Sequence, residues 1–87
     1  MNGREHRQLS PFPGFHEIAQ RRRRVIAELV AARQERGLSQ TVVAGRMGTS
    51  QSVIARLESG DNDVRLSTLE RYAAAIGRRL DWGLRAD

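Results

Sequence analysis

The stretch GTSQSVIARLESG, residues 48–60, decides the fold because it predicts one short helix with a start signal and a stop signal. Ser50 offers a side-chain oxygen as an N-cap, and Gly60 is a typical C-terminal stop. On a helical projection, Ile54 and Leu57 fall together on the side that faces a core. The outward side is small and polar and consists of Ser52, Ala55, Arg56 and Ser59, with Gln51 projecting from the N-terminal end. A helix this short is not stable alone, so its role depends on the elements around it.

The outward side of this helix suits the reading of DNA bases. Glutamine and arginine can make bidentate hydrogen bonds to adenine and guanine edges in a major groove, and small residues permit close approach to another surface. A solvated helix usually carries alternating charges instead. The alternative interpretation, an ordinary polar outer face of a core helix, stays open on this stretch alone.

A second short helix precedes this one. Ser39 is an N-cap for the segment QTVVAGRM, residues 40–47, which ends at Gly48. The three-residue turn GTS then joins the two helices, and Ala44 stands where they must approach closely. The apolar stripe of the first helix consists of Val43, Ala44 and Met47. Two short helices joined in this way predict a helix-turn-helix.

The remaining sequence divides the chain into three parts. Residues 1–14 hold both prolines and lack periodicity, which indicates a flexible N-terminal arm. Residues 15–77 form the helix-turn-helix domain, with a first helix from about Phe15 to Gly37 and a last helix over LSTLERYAAAIG. The predicted fold class is therefore all-α, a compact bundle of four to five helices with the helix-turn-helix in helices 2 and 3.

The tail, residues 78–87, changes from helical to alternating periodicity. Leu80, Trp82 and Leu84 alternate with polar or small residues, which predicts a short C-terminal β-strand. A lone strand leaves its backbone groups unpaired, and nothing else in the chain resembles a strand. We therefore expect these three residues to mediate dimerisation by pairing with the same strand of a second subunit.

The charge balance favours a nucleic-acid partner. The 87 residues carry a formal net charge of +5, and all 15 basic residues are arginine, whose planar fork matches phosphates and guanine edges. The absence of lysine is weak support because a GC-rich genome gives the same composition. Arg21 to Arg24 sweep most of the circumference of a helix, and two interpretations stay open for them, a solvated basic stretch or a site for phosphate or a partner.

The same composition argues against catalysis, metal binding and membrane insertion. The chain has no cysteine, and His6 and His16 lie in or next to the arm. No acid pair or glycine-rich phosphate loop is present, so we expect no enzyme, no cofactor and no metal. No apolar run approaches the length of a membrane span, and the N-terminus lacks a signal-peptide hydrophobic region. A soluble, cytoplasmic protein is the expectation.

From about Arg33 to Gly77 the sequence resembles the helix-turn-helix family of Cro and the phage lambda-type repressors. The resemblance lies in the glycine placement, the Ser-Gln opening of helix 2, the Ile-x-x-Leu-Glu of helix 3 and the Leu-x-x-x-Ala-x-x-Ile-Gly of helix 4. These motifs agree in register over about half the chain. Two departures weaken helix 2, namely Val42 in place of a charged residue and Gly45 in mid-helix.

The resemblance also implies roles for individual residues. Four residues of helix 3 occupy base-reading positions: Gln51, Ser52, Ala55 and Arg56. Three residues match positions that contact DNA phosphates: Gln40, Asn62 and Arg65. Arg33 and Glu58 match a structural salt bridge that joins helices 1 and 3.

Two functions follow as hypotheses. The first is a sequence-specific transcriptional regulator, a homodimeric repressor that places two recognition helices in successive major grooves of an inverted-repeat operator on double-stranded DNA. The alternative is an antitoxin, since the resembled family includes antitoxins; it would bind a toxin through residues 1–24 and autoregulate its own operator. Restriction-modification controllers are also similar in size and fold, and the gene neighbourhood would separate these possibilities.

Overall fold

A computed structural model of the protein describes residues 14–84 and residue 86. Within these residues the chain forms four helices and no strand: α1 (Phe15–Glu35), α2 (Gln40–Met47), α3 (Gln51–Ser59) and α4 (Leu66–Ala75). The all-α class and the helix-turn-helix in α2 and α3 are confirmed. The predicted flexible arm, residues 1–14, lies outside the described part of the chain apart from Gly14.

Local signals set the ends of α2 and α3. The hydroxyl oxygens of Ser39 and Ser50 each accept the backbone N–H three residues later, at 3.1 and 3.3 Å. Both helices end at a glycine in the left-handed conformation, Gly48 with φ 70° and Gly60 with φ 74°. Because α3 begins only three residues after Gly48, this glycine turns the chain from one helix directly into the next.

The hydrophobic core lies where the four helices meet. Ile54 and Leu57 are 0% and 5% exposed, so one face of α3 is buried and the opposite face is left available. The core residues are Ile26, Leu29, Val43, Ala44, Met47, Ile54, Leu57, Leu69, Tyr72, Ala73 and Ile76. No helix of the described chain combines the length and the apolar character that crossing a membrane requires.

The β-strand predicted for the tail is wrong. Residues 78–84 have no regular secondary structure. Leu80 and Trp82 instead line a groove with apolar side chains of α1 and α4, while Leu84 is fully exposed. The alternation therefore has another cause: a segment without helical periodicity puts alternate side chains on one side, and here that side lies against helices rather than facing a partner strand. No second strand in the described chain could have paired with it.

Gly45 is expected to be a weak point of α2. It lies inside the helix, and an added Cβ there would meet no atom within 4 Å. Gly45→Ala should therefore stabilise the protein by about 1 kcal/mol, which corresponds to a rise of roughly 4–8 °C in melting temperature for a domain of this size. Thermal unfolding followed by circular dichroism measures the shift.

Gly48→Ala is the matched control for this prediction. A Cβ at Gly48 would also meet no atom within 4 Å, but its φ is 70°. An L side chain in this left-handed conformation costs about 1–2 kcal/mol, so we expect the melting temperature to fall. Shifts of the same sign in the two variants would contradict the assignment of Gly45 as a helix-interior weakness.

Candidate nucleic-acid interface

The exposed face of α3 carries the four side chains expected to read bases. Gln51, Ser52 and Arg56 are exposed, and Ala55 is half-buried. The Ser52 hydroxyl lies 3.1 Å from that of Ser50, the N-cap. The guanidinium of Arg56 makes no hydrogen bond or ion pair with any described residue. The face therefore presents one long cationic side chain and several short polar ones on a fixed helix.

Gln40 and Gln51 are joined across the turn between α2 and α3. Gln51 donates through Nε2 to Gln40 Oε1 at 2.6 Å, and Gln40 donates through Nε2 to Glu58 Oε1 at 2.9 Å. The first residues of the two helices are thus held side by side. Gln51 keeps its Oε1 and one N–H available, which are one acceptor and one donor.

Glu58 anchors this pair of glutamines to the rest of the protein. Arg33 donates to it through Nε at 2.7 Å and through Nη2 at 3.0 Å, and the Tyr72 hydroxyl donates to it at 2.5 Å. The side chains of Arg33 and Glu58 are only 10% and 8% exposed. One buried carboxylate therefore ties α1, α3 and α4 together and holds the α2 glutamine in place.

Tyr72 is a member of this cluster that sequence reasoning missed. A signal was available, because Tyr72 is the one tyrosine of the chain and follows Leu69 by three residues on the apolar side of α4. A buried tyrosine hydroxyl usually has a hydrogen-bond partner. The sequence did not show which partner that was, since Glu58 lies on another helix.

The charges within this cluster are stabilised by one another. Burial by itself opposes ionisation of Glu58, but hydrogen bonds from Arg33, Tyr72 and Gln40 outweigh it and hold the Glu58 pKa below its ordinary value. The hydrogen bond to Glu58 raises the pKa of Arg33 in spite of burial. Burial, together with the hydrogen bond to Glu58, raises the pKa of Tyr72. At neutral pH the cluster therefore holds an ionised pair and a neutral phenol.

The lowered pKa of Glu58 predicts a loss of stability in acid. Because the unfolded chain binds this proton more readily, the contribution of Glu58 is fully present above the ordinary pKa of 4.5 and is lost as the pH falls through the lowered pKa. Urea unfolding of wild type and Glu58→Gln at neutral and acidic pH measures this contribution. The difference in unfolding free energy between the two proteins should shrink as the pH falls. A difference that stayed constant would show that Glu58 does not titrate in this way.

The residues expected to bind phosphate do not form one cluster. Asn62 and Arg65 lie with Arg56 around a surface depression of about 540 Å³ at the C-terminal half of α3, whereas Gln40 lies at its N-terminal end. Asp63 lines the same depression, with its side chain 98% exposed. The site residues therefore form two groups, one at each end of α3.

Val53 is a second residue that sequence reasoning missed. It is 45% exposed and lines the depression beside Arg56. A branched apolar side chain at this position offers a surface for the methyl group of thymine.

The three tail residues expected to mediate dimerisation lie away from this face. Leu80 packs against the core as a half-buried residue, Trp82 is 64% exposed and donates through Nε1 to Glu70 at 3.2 Å, and Leu84 is fully exposed. Leu80 and Trp82 line an apolar groove of about 230 Å³, which we call the tail groove, together with Ile18, Val25, Leu66 and Leu69. This groove shares no lining residue with the depression beside Arg56.

Within residues 14–84 and 86, no three His, Asp or Glu side chains are grouped so that they could hold a metal ion.

Comparison with known proteins extends these observations. The chain is similar to antitoxin HigA1 of Mycobacterium tuberculosis, in two strains, with 44% identity over 69 residues that make up 79% of this chain and 46% of the antitoxin. It is also similar to an uncharacterized HTH-type transcriptional regulator of Haemophilus influenzae, with 38% identity over 56 residues, 64% of this chain and 57% of the regulator. The chain thus spans about half the length of the curated relatives it matches. No solved structure matches it significantly.

A family model described as helix-turn-helix matches residues 29–83, which contain all of α2, α3 and α4 and part of α1. The match confirms the resemblance predicted from the sequence, and it includes both ends of the buried Arg33–Glu58 pair. The chain therefore belongs to the Cro-type helix-turn-helix family.

Proposed function

We propose that this protein is a sequence-specific transcriptional regulator that binds double-stranded DNA as a homodimer, at an inverted-repeat operator. The observation that carries the proposal is the hydrogen-bonded chain from Glu58 through Gln40 to Gln51, which fixes two glutamines at adjacent helix N-termini. A side chain that is held in place before binding loses less conformational entropy on binding. Membership of the helix-turn-helix family supports the same function.

In this proposal α3 enters the major groove and reads bases from both of its ends. The free Oε1 and N–H of Gln51 are the acceptor and donor that the N6 and N7 edge of adenine requires. Arg56, whose guanidinium has no partner in the described chain, makes the bidentate contact to guanine. Ser52 reads directly or through water, and Ala55 contacts a thymine methyl group.

Phosphate contacts would set the orientation of α3 in the groove. Gln40 binds the backbone at the N-terminal end of α3, and Asn62 and Arg65 bind it at the other end. Contacts on both sides of the groove fix the register of the protein on the duplex without reading sequence. A dimer held in this way on an operator would act as a repressor.

A second copy of the chain is the proposed occupant of the tail groove. Trp82, Ile18 and Leu66 are 64%, 55% and 42% exposed, which is unusual for large apolar side chains that lie together. Arg21 and Asp81 lie on the same groove with opposite charges, so two copies related by a two-fold axis can pair them reciprocally. Sedimentation equilibrium on DNA-bound protein tests this arrangement, and one chain per operator would contradict it.

Backbone amide NMR with a mixed-sequence duplex tests the interface before the operator is known. The largest shift changes are expected at Gln40, Gln51, Ser52 and residues 61–65. Ala74 and Ala75 provide an internal control, because they line a separate depression between α2 and α4. Changes centred on these two alanines would contradict the proposed interface.

An antitoxin is the second candidate function, and the similarity to antitoxin HigA1 over 69 residues favours it. In this function the protein would also bind a toxin, and residues 1–24 are the proposed binding segment. Two apolar side chains of this segment, Phe15 and Ile18, are 45% and 55% exposed at the start of α1 and so accessible to a partner. Co-expression with the product of the adjacent gene tests it. Rescue from a toxic product would support an antitoxin, and a harmless product would contradict it.

A further inference from the structure

Half of the arginines of the described chain already have partners within the protein. Arg36, Arg46 and Arg71 each donate to a backbone carbonyl at the C-terminal end of a helix, at 2.9, 2.7 and 2.6 Å. Three others lie against carboxylates: Arg22, Arg33 and Arg78. The guanidinium groups that have no partner among the described residues belong to Arg21, Arg23, Arg24, Arg56, Arg65 and Arg79.

The N-terminal half of α1 lies directly against the loop that follows α3. Gly60 is buried, and a Cβ added to it would lie 3.2 Å from Arg23 Cγ and 3.8 Å from Arg23 Cα. Arg22 Nη1 lies 3.9 Å from Asp63 Oδ1. The missing side chain of Gly60 therefore allows α1 to pass close to the loop that carries Asn62 and Arg65, the proposed phosphate ligands.

Two of the unpartnered arginines share one exposed face of α1. Gln20, Arg23, Arg24 and Ala27 line a shallow depression of about 360 Å³, and their spacing puts them on one side of the helix. We call these four residues the α1 basic face. Glu28 follows Arg24 by one turn, but the two form no ion pair. The α1 basic face thus carries two positive charges that nothing in the described chain neutralises.

We propose that the α1 basic face binds phosphate groups of the DNA strand next to the loop of residues 60–65, through Arg23 and Arg24. The inference rests on the proposed DNA-binding function and adds a contact outside the helix-turn-helix. Two adjacent guanidinium groups suit a backbone that offers charged oxygens at regular intervals, and such contacts raise affinity without reading sequence. Arg22 is not part of this face, since its guanidinium lies 3.9 Å from Asp63 Oδ1 on the loop.

The salt dependence of DNA binding tests this inference. Arg23→Gln/Arg24→Gln removes both charges, Arg23→Lys/Arg24→Lys keeps them, and Arg79→Gln removes one unpartnered charge beyond α4. Fluorescence anisotropy with a labelled duplex, between about 50 and 200 mM salt, gives the slope of log K against log salt concentration. All the replaced side chains are exposed, so circular dichroism melting is expected to show an unchanged fold.

The double glutamine variant should have a slope less steep by about 1.8, or about 0.9 for each lost phosphate contact. Raising the salt over this range should lower the affinity of both proteins, and the factor of reduction should be about twelve times smaller for the double glutamine variant than for wild type. Its base preference should not change, and the lysine variant should keep the wild-type slope.

An unchanged slope in the double glutamine variant would overturn the inference. An acidic protein would then be the candidate partner of the α1 basic face. An equal effect per charge in Arg79→Gln would also overturn it, because net charge alone would then explain the result. These outcomes differ from failure of the proposed function, in which wild type itself binds no duplex.

Discussion

Glu58→Ala is expected to lower the free energy of unfolding by about 3–5 kcal/mol. The substitution leaves the Arg33 guanidinium without its carboxylate in a place where its side chain is only 10% exposed. The Tyr72 hydroxyl and the Gln40 amide lose their acceptor in the same step. At roughly 4–8 °C per kcal/mol for a domain of this size, the melting temperature should fall by at least about 12 °C. Urea and thermal unfolding measure both quantities.

Glu35→Ala is the matched control, because it breaks an arginine–carboxylate contact on the surface. Glu35 lies 3.5 Å from Arg78, and its side chain is 75% exposed. An exposed pair of this kind contributes about 0–1 kcal/mol. If the two variants lost the same stability, Glu58 would not be the anchor that the geometry indicates.

Arg56→Ala is expected to remove the preference for one base pair in each half-site of the operator. Arg56 is exposed and without a partner in the described chain, so its loss should leave the fold intact. A bidentate arginine–guanine contact contributes about 1–3 kcal/mol of discrimination, or roughly 5- to 150-fold between the right and wrong bases. Competition binding with all four base pairs at each operator position measures the change.

Arg65→Ala provides the comparison for a phosphate contact. Arg65 lines the same depression as Arg56 but lies outside α3, just before α4. Its loss should weaken binding to all sequences by a similar factor and make the salt slope less steep by about 1. If Arg56→Ala also weakened all sequences equally, the base-reading role of Arg56 would be wrong.

The parts of the fold that local signals determine were predictable from the sequence. Ser50, the apolar pair of Ile54 and Leu57, and Gly60 together define α3, and each acts within a few residues along the chain. Ser39 and Gly48 define α2 in the same way. The contact between Arg33 and Glu58 is of another kind, since the residues lie on different helices; only the resemblance to a family indicated it.

The tail could not be predicted because alternation does not specify what the chain lies against. Leu80 and Trp82 give the same pattern whether they belong to a paired strand or lie along a surface made by α1 and α4. The hydrogen bond between Gln40 and Gln51 is similarly invisible in sequence. It depends on how α2 and α3 pack against each other through core residues such as Val43 and Ile54.

Selection of bound duplexes from a random-sequence pool, with the wild-type protein at moderate salt, tests most directly whether α3 reads DNA. We expect enrichment of one inverted repeat whose half-sites are centred about 10–10.5 base pairs apart, or a multiple of that spacing. Recovery of bound DNA with no enriched inverted repeat would contradict it.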